Sequence, residues 1–494
     1  MSMLMFMLDQ SKLEKLGKIR ALGVNPYPYT FDQTHHADEI AARFDELSGK
    51  TVSVAGRILR MRKMGKLHFI DLLDGSGKLQ IMVKEDAAQK SDIDVLKLLD
   101  LGDIIGVKGS VIKTRAGEVS VELGSLTLLS KSLRTMPEKF HGLSDVESRY
   151  RQRYLDLIVN PEARKIFRTR TAVISYIRDF LNARKYLEVE TPIIQPQYGG
   201  ANAQPFKTHH NFLGTDMYLR IAPELYLKRL IIGGFERVYE FAKNFRNESV
   251  DAKHNPEFTM LEFYEAYGDY NTLMNLTEEM LGGLAKKLYG GYEVTYQGSK
   301  ISFKPPFRRI SLVDEIKKKS GIDISELTDE SAAKVAKDEK LETSIRNAYH
   351  VADALFDKYV QDEITDPAFV IDYPGYMCAL TKDKRGNPKL SERFELFMAG
   401  KEFGNCYSEL TDPIEQRRKF EEQAMEKKKG DTEAPPSDED FLEAIEYGMP
   451  PTAGMGIGID RLVMLFADVP SLKEVILFPT VKPEQRQGEP SDEA

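Results

Sequence analysis

The densest group of side chains that could bind a ligand lies between Arg237 and Tyr264, where the chain reads RVYEFAKNFRNESVDAKHNPEFTMLEFY. Alternating residues on both sides of a polar run at 247–256 predict two strands joined by a long loop. A rigid hairpin can present an arginine fork, which binds carboxylate or phosphate oxygens. A solvated surface hairpin without a ligand fits the same pattern, so the choice between these two interpretations depends on other stretches of the chain. The candidate side chains are Arg246, Glu248, His254, Asn255, Glu262 and Tyr264.

Two further stretches combine a distinctive composition with predicted regular structure. Residues 449–466, MPPTAGMGIGIDRLVMLF, run from glycines into an apolar helical segment that opens with Asp460 and Arg461. Glycine permits close approach of the backbone to a ligand, but the spacing matches neither the dinucleotide fingerprint nor the Walker loop. Residues 180–194, FLNARKYLEVETPII, predict the end of an amphipathic helix and then a strand that stops at Pro192.

A pair of glutamates has a spacing that suits a metal ion. Glu395 and Glu402 lie on either side of Gly400, so two neighbouring strands could bring both carboxylates to one cation. Magnesium suits such a pair, because it takes one or two carboxylates together with phosphate oxygens and water. Two exposed strand glutamates are the alternative interpretation.

Together, these stretches resemble motifs of the class II aminoacyl-tRNA synthetases. FRNE with Arg246 resembles motif 2, GIGIDR ending in Arg461 resembles motif 3, and the helix, strand and Pro192 resemble motif 1. The likeness is strongest to the lysyl-tRNA synthetases of this class, and it covers nearly the whole chain. Further motifs in that family's order are NPYPYTF at 25–31, RYRQRYLDLI at 149–158, YGGANAQPF at 198–206, APELYLKRL at 222–230, HNPEFTMLEFYEAY at 254–267, GNCYSEL at 404–410 and LFPT at 477–480.

The resemblance implies roles for the charged residues around motifs 2 and 3. Amino-acid activation brings a carboxylate to the α-phosphate of ATP, and a fixed guanidinium is needed where these two anions meet. Arg246 matches the arginine that spans both anions, and Arg461 matches the one near the γ-phosphate and adenine. Mg²⁺ is expected on Glu395 and Glu402. The other expected nucleotide contacts are Glu248, His254, Asn255 and Phe258, with Phe258 stacked on adenine.

Three glutamates favour lysine as the amino acid. Glu224, Glu262 and Glu409 fall in three separate motif stretches, and a buried ammonium needs carboxylates to offset its desolvation. An aspartate substrate would be repelled by them. The resemblance places Glu262, Tyr264 and Glu409 around the ε-ammonium, Glu224 and the Gly200 backbone at the α-ammonium, and Asn405 beside Arg246 at the carboxylate.

The first part of the chain predicts a small β-barrel. Five strand-like runs with a helix between the third and fourth are typical of an OB fold, which binds single-stranded nucleic acid on one face. The strand-like runs lie at 51–61, 66–73, 78–83, 103–114 and 117–130, and the helix lies at 91–101.

Strand alternation predicts which barrel residues face a nucleic acid. If Ile70 and Leu72 point into the core, Phe69 and Gln80 lie on the opposite face, where Arg62 adds a positive charge. A register shifted by one would place Phe69 in the core. The resemblance favours the first register, because Phe69 and Gln80 match positions that bind the anticodon of tRNA(Lys) in the family.

Length and motif order together predict an α+β chain with two domains. An OB-fold anticodon-binding domain with a short N-terminal helix is expected at 1–145 of the 494 residues. A class II catalytic domain, an antiparallel sheet flanked by helices, is expected at 146–494. Within it, the charged stretch at 311–366 predicts a helical insertion outside the sheet, to which no chemistry is assigned.

The composition also restricts location and partners. The start of the chain has no signal-peptide pattern, and the only cysteines, Cys378 and Cys406, form no C-x-x-C pair, so a reducing, cytoplasmic location away from membranes is expected. The net charge of −8 argues mildly against nucleic acid. Residues 1–135, however, carry 20 Lys and Arg against 17 Asp and Glu, which is compatible with a partner at that end.

A long helix after residue 162 has one apolar face, built from Ile166, Val173, Ile174, Ile177, Phe180 and Leu181. Such a face is usually core. In class II synthetases this helix and the following strand form a dimer interface, so the resemblance predicts a homodimer.

The expected activity is formation of lysyl-adenylate and pyrophosphate from L-lysine and ATP, followed by transfer of the lysyl group to the 3′-terminal adenosine of tRNA(Lys). Three alternatives remain open. An aspartyl or asparaginyl relative has the same two-domain plan, but the three pocket glutamates oppose it. A lysyl ligase that modifies a protein would not need residues 51–130. An OB-type binding protein with a degenerate catalytic part would not keep the arginines and glutamates of the motifs.

Overall fold

The computed structural model describes residues 8–136, 145–252, 254–341, 343, 347–428 and 436–482. The chain divides into two compact units, Met1–Gly142 and Leu143–Ala494. Within the described residues, no helix combines the length and the apolar character that a membrane crossing requires.

The first unit contains both helices and strands. Its elements are α1 (Gln10–Ala21), α2 (Ala37–Ala42), α3 (Phe44–Leu47), β1 (Thr51–Met64), β2 (Leu67–Leu73), β3 (Lys78–Lys84), α4 (Lys90–Leu96), β4 (Ile104–Lys113) and β5 (Val119–Ser130).

The strands of the first unit form a closed barrel in the order β1-β2-β3-β5-β4, with β3 and β5 parallel. Ile70 and Ile81 are fully buried in its core, as their alternation along β2 and β3 predicts. Asp74 forms the tight turn between these strands by accepting hydrogen bonds from the backbone N–H groups of Ser76 and Gly77. The predicted OB fold is therefore confirmed.

The second unit is larger and mixes both kinds of element. Its helices are α5 (Val146–Arg151), α6 (Arg153–Val159), α7 (Pro161–Asn182), α8 (Glu224–Ile232), α9 (Tyr270–Tyr289), α10 (Leu312–Ser320), α11 (Asp329–Asp338), α12 (Ala348–Tyr359), α13 (Pro413–Lys428), α14 (Glu439–Glu446), α15 (Ile459–Phe466) and α16 (Leu472–Val475). Its strands are β6 (Leu187–Glu188), β7 (Ile194–Gln195), β8 (Lys207–His210), β9 (Thr215–Leu219), β10 (Arg237–Phe245), β11 (Glu257–Ala266), β12 (Glu293–Tyr296), β13 (Ser299–Ser302), β14 (Arg308–Ser311), β15 (Ala368–Pro374), β16 (Asp383–Lys384), β17 (Asn387–Met398), β18 (Lys401–Ser408) and β19 (Thr452–Gly458).

A large, mostly antiparallel sheet organises the second unit. Its strand order is β14-β15-β17-β18-β19-β11-β10-β6, and β16 pairs with β17 at the side. The pairs β14-β15 and β10-β6 are parallel. The sheet buries Phe263, Phe394 and Ile457 against α7, α9 and α15 in one core. The predicted architecture, an antiparallel sheet flanked by helices, is confirmed.

The predicted hairpin lies between β19 and the edge strand β6 of this sheet. β10 and β11 pair in antiparallel register from Arg237 opposite Glu265 to Phe245 opposite Glu257. Next to it, β19 leads directly into α15. The helix was predicted from its apolar run, whereas the strand over the glycines was not. The strand expected before Pro192 is short, since β6 contains only Leu187 and Glu188.

The stretch at 311–366 contains the helices α10, α11 and α12. They share a core with β15, in which Ile316, Val351 and Leu355 are fully buried. The sequence analysis assigned no chemistry to this stretch. In the structure, α12 contributes Tyr349 and Asp353 to the wall of the cavity described below.

The apolar face of α7 is part of the core. Val173, Ile177 and Leu181 are fully buried in their own unit. They pack there against side chains of α9 and α15. A contact of α7 with a second copy of the chain would therefore have to use other residues of the helix or the strand that follows it.

Candidate active site

A cavity of about 540 Å³ opens in the second unit, where the β10–β11 hairpin, β17, β18 and β19 meet α12 and α15. It brings together residues that are far apart in the chain. The predicted site residues that line it are Gly200, Glu224, Arg246, Glu248, His254, Asn255, Phe258, Glu262, Tyr264, Glu395, Glu402, Asn405 and Arg461. Glu409 is not among the lining residues.

Arg246 follows directly after β10 at one side of the cavity. Its guanidinium carbon lies 5.2 Å from the centroid of the Phe258 ring on β11. Its Nε is buried and has no hydrogen-bond partner among the described residues. Burial lowers the pKa of Arg246, although neighbouring glutamates partly oppose this effect. A buried guanidinium with an unused donor fits an anionic ligand.

Arg461 lies in the first turn of α15, across the cavity wall from β18. Its Nη1 donates a hydrogen bond to the backbone carbonyl of Glu402 at 2.7 Å and lies 3.5 Å from the Glu402 carboxylate. The neighbouring Asp460 fixes the start of α15, because it accepts a hydrogen bond from the Thr259 N–H on β11 at 2.8 Å and pairs with Arg170 of α7 at 2.5 Å.

Glu395 and Glu402 lie on the adjacent strands β17 and β18, and both line the cavity. The Tyr373 hydroxyl donates to Glu395 at 2.8 Å, and Arg393 forms an ion pair with the same carboxylate. Burial raises the pKa of Glu395, and Glu402 raises it further despite Arg393. An added cation would therefore stabilise the ionised pair.

No group of three or more His, Cys, Asp and Glu side chains in the described ranges is arranged to hold a metal ion. The carboxylates of Glu395 and Glu402 nevertheless fit magnesium, which needs only one or two carboxylates when phosphate oxygens and water supply the other ligands.

A second, deeper part of the cavity is acidic. Glu262 is only 5% exposed, and the Tyr264 hydroxyl donates to it at 3.3 Å. Burial, together with the charges of Glu224 and Glu240, raises the pKa of Glu262 to about 8. Gly200 lies over Glu224 with a φ of +83°, and a Cβ there would lie 3.0 Å from the Glu224 side chain. This glycine lets the backbone approach the carboxylate closely.

Glu409 lies just beyond β18, behind this acidic part. It is fully buried, and its Oε2 lies 2.5 Å from the Lys228 ammonium. Gly454 separates Glu409 from Tyr264, and a Cβ at Gly454 would collide with both side chains. The structure thus places Glu409 next to the predicted ε-ammonium ligands without exposing it on the cavity wall.

The loop residues of motif 2 are held mainly by local contacts. His254 is exposed, and its Nδ1 lies 2.9 Å from Asp251. Asn255 is buried, donates to the Glu257 carbonyl at 2.5 Å and accepts from the Thr480 N–H at 3.2 Å.

The cavity also contains residues that the sequence analysis missed. Arg393 is buried, contacts Asn405 at 3.3 Å and pairs with Glu395. Asp353, from α12, has a pKa raised to about 6 by burial and then by Asp357. Arg393 lies two residues before Glu395 on the same face of one strand, and this spacing could have identified Arg393 as a site residue. The spacing of residues in the helix at 348–359 contained no signal that Asp353 would line the cavity.

Residues 145–482 match the family described as tRNA synthetases class II (D, K and N). The chain belongs to the class II tRNA synthetases. Residues 52–129 of this synthetase match a second family, described as OB-fold nucleic acid binding domain. The resemblance drawn from the motifs is confirmed.

Several relatives cover almost the full length of the synthetase. The lysine–tRNA ligase of Moorella thermoacetica is 50% identical over 477 residues, which is 96% of this chain and 97% of the relative. That of Clostridium novyi is 48% identical over 96% of this chain and 94% of its own. That of Carboxydothermus hydrogenoformans is 49% identical over 96% of this chain and 98% of its own.

The barrel of the synthetase leaves only some of the side chains predicted for the nucleic-acid face accessible. Phe69 is half-buried on the outer side, and the Arg62 guanidinium carbon lies 6.0 Å from its ring centroid. Gln80 was expected to be exposed beside Phe69, but it is 6% exposed. Its amide donates to Glu118 at 2.9 Å and accepts from Ser120 at 3.0 Å, so both polar ends are already bonded.

Proposed function

We propose that this synthetase activates L-lysine with ATP, releasing pyrophosphate, and then transfers the lysyl group to the terminal adenosine of tRNA(Lys). The observation that carries the proposal is one cavity in which a guanidinium with a free donor, Arg246, faces a buried carboxylate, Glu262. The first group suits a carboxylate and a phosphate, and the second suits an ammonium.

The amino acid would lie between these two groups. Its carboxylate would contact Arg246 and Asn405, and its α-ammonium would contact Glu224 and the Gly200 backbone. Its ε-ammonium would reach Glu262, Tyr264 and Glu409. Buried carboxylates with raised pKa values favour a cationic side chain, because an ammonium replaces the proton that each would otherwise hold. The carboxylate of a bound aspartate would instead be repelled.

ATP would occupy the outer part of the cavity. Phe258 offers a flat apolar surface for adenine, and Arg246 lies beside it at the expected position of the α-phosphate. Arg461 would contact the γ-phosphate, with Glu248, His254 and Asn255 along the nucleotide. Because the lysine carboxylate is ionised at neutral pH, attack on the α-phosphate needs no general base. Arg246 would instead stabilise the charge that develops between the two anions.

Glu395 and Glu402 would hold Mg²⁺ on the phosphates. When bound, the metal would neutralise phosphate charge and help pyrophosphate to leave. Arg393 and Tyr373 would orient Glu395 for this role through the contacts described above.

The barrel would bind the anticodon of tRNA(Lys). Phe69 would stack on a base, and Arg62 would add a cation next to that ring. Gln80 would take part only if its amide left Glu118 or Ser120, or through a water molecule.

We also propose a homodimer in the cytoplasm. Exposed apolar side chains follow α7, since Leu187, Ile193 and Ile194 are 46%, 44% and 50% exposed, and these could contact a second copy. Both cysteines are buried and free, in keeping with a reducing compartment.

Aminoacylation tests the proposal. Purified synthetase with ATP, Mg²⁺ and labelled lysine should form a lysyl ester on tRNA(Lys) that mild base hydrolyses. Aspartate and asparagine in place of lysine should give no ester on any tRNA. Labelling of a protein in place of tRNA, or lysine activation without charging, would favour the alternative of a protein-modifying lysyl ligase.

A further inference from the structure

Lys228 is an ammonium group enclosed inside the acidic part of the site. It lies in α8 and is 1% exposed. Its Nζ lies 2.6 Å from Oε1 of Glu224, four residues earlier in the same helix, and 2.5 Å from Oε2 of Glu409. A buried ammonium is tolerated only with such partners, and here the partners are two carboxylates assigned to the substrate.

The charges around this ammonium do not balance. Lys228 is paired directly with Glu224 and Glu409, whereas Arg220, Arg246 and Lys382 act on Glu262 or Glu409 only from a longer distance. Glu240, opposite Glu262, is paired with Arg220 at 2.6 Å. When Glu224, Glu262 and Glu409 are all ionised, their three negative charges therefore exceed the single charge of the ammonium that is paired with them.

The contacts of Lys228 leave room for a ligand. It forms an ion pair with one oxygen of Glu409, Oε2, while neither oxygen of that carboxylate has a hydrogen-bond partner of good geometry among the described residues, and Oε1 has no ion-pair partner there either. That oxygen faces Gly454, on whose other side lies Tyr264. The pair with Lys228 thus fixes the carboxylate while leaving one acceptor directed at the predicted ε-ammonium position.

We propose that Lys228 is a positioning and specificity-determining residue, which holds Glu224 and Glu409 in place and offsets part of the negative charge of the acidic part, so that the remaining negative charge suits the two ammonium groups of a diamino acid. This inference rests on the proposed lysine specificity. Lys228 does not contact the substrate. It sets the protonation and orientation of the carboxylates that do.

The electrostatics support this role. Although burial lowers it, the pKa of Lys228 is raised overall by Glu224 and Glu409, so the group stays charged. Burial raises the pKa of Glu409, and Lys228 opposes that rise. Removing Lys228 should therefore raise the carboxylate pKa further. The other titratable groups that face these carboxylates are Arg220, Glu240, Arg246, Tyr264, Lys382, Cys406 and Tyr407.

The test compares Lys228→Met with wild type in lysine-dependent pyrophosphate exchange between pH 6.5 and 9. An opposite charge within 4–6 Å shifts a carboxylate pKa by about 1–3 units, so the acid limb of lysine kcat/KM should move upward by that amount. The ratio of the lysine kcat/KM of the variant to that of wild type is taken at each pH, because the titration of free lysine affects both enzymes equally. The loss of lysine kcat/KM in the variant should be largest at low pH and shrink as the pH rises, while the KM for ATP stays unchanged.

Lys131 supplies a matched control in the barrel. It is also buried, with Asp100 at 2.6 Å and Asp103 at 2.8 Å from its ammonium. Lys131→Met removes a comparable triad and should lower thermal stability without moving the pH profile of lysine activation. If Lys228→Met does not fold, Lys228→Arg is measured in its place. Because arginine keeps the positive charge, the acid limb of its lysine kcat/KM should lie within half a pH unit of the wild-type limb.

The outcomes separate the inference from the proposed function. Wild type that exchanges no pyrophosphate with lysine would overturn the proposed function itself. Active wild type with a Lys228→Met deficit that is equal at every pH would overturn only the inference, because loss of packing alone gives such a deficit. A shift of the acid limb by one unit or more in Lys228→Arg would also overturn it.

Discussion

Arg246 lies over the ring of Phe258, with its guanidinium carbon 5.2 Å from the ring centroid, while its Nε remains without a hydrogen-bond partner among the described residues. This cation–π contact holds the guanidinium at the ring without using that donor. The two residues come from either end of the long loop between β10 and β11, so the hairpin itself sets their contact. The same pair would touch the adenine and the two anions of the proposed reaction.

Arg246→Ala should abolish adenylate formation with the fold intact. Loss of a charge-assisted contact made in the transition state should lower the rate at least 100-fold, or about 3 kcal/mol. Lysine-dependent pyrophosphate exchange measures the loss, and thermal unfolding checks the fold. Near-normal exchange in a folded variant would remove Arg246 from the mechanism.

Glu262→Gln and Glu409→Gln should each lower lysine kcat/KM by about 3–5 kcal/mol, the range for removal of one partner from a buried charge pair. The double variant should lose less than the sum, because both carboxylates share one cation. Glu278→Gln is the matched control, since Glu278 is a buried carboxylate paired with Arg309 and does not line the cavity. Additive losses below about 1 kcal/mol would contradict the assignment.

Stabilisation by lysine should increase from pH 6 to pH 8. Burial, with Glu224 and Glu240, raises the pKa of Glu262 to about 8, whereas an unfolded glutamate titrates near 4.3. Between these two pH values, the folded free protein therefore keeps a proton on Glu262 that the unfolded chain has lost. The contribution of this group to the free energy of unfolding is complete below the unfolded pKa and is lost as the pH rises through 8.

An ammonium ligand binds the ionised carboxylate, so it restores the lost stability and its effect grows with pH over this window. Thermal unfolding with and without lysine at pH 6, 7 and 8 measures the effect. Glu262→Gln should flatten the dependence. A lysine-induced shift in Tm that stays constant or shrinks toward pH 8 would show that Glu262 is not the titrating ligand.

Phe69→Ala should weaken charging of tRNA while leaving lysine activation nearly unchanged. Stacking on a base contributes about 1–3 kcal/mol, so kcat/KM for tRNA should fall by at least fivefold. The half-buried position of Phe69 makes stability a necessary control. An equal fall in activation and charging, or a collapse of thermal stability, would identify Phe69 as a core residue.

Local sequence patterns predicted the scaffold well. The β10–β11 hairpin and helix α15 follow from alternation and from an apolar run, both of which are visible within some thirty residues. Burial of Ile70 and Ile81 followed from strand parity in the same way.

Contacts between distant segments were not predictable from local patterns. Gln80 is buried because Glu118 and Ser120 bind its amide from the region of β5, a pairing that no pattern within β3 reveals. The contact between Glu224 and Lys228 could have been expected from their i,i+4 spacing on a helix. That Glu409 completes the triad depends on how β18 ends against α8, which only the folded chain shows.

Pyrophosphate exchange with each of the twenty amino acids in turn tests the account most directly. The synthetase should catalyse exchange with lysine at least 100-fold faster than with aspartate or asparagine, because an ammonium is stabilised by the buried glutamates and a carboxylate is repelled by them. Glu262→Gln in the same panel should lose the lysine signal. Exchange driven by aspartate or asparagine, or a lysine signal unaffected by Glu262→Gln, would contradict the assignment of this acidic site to lysine.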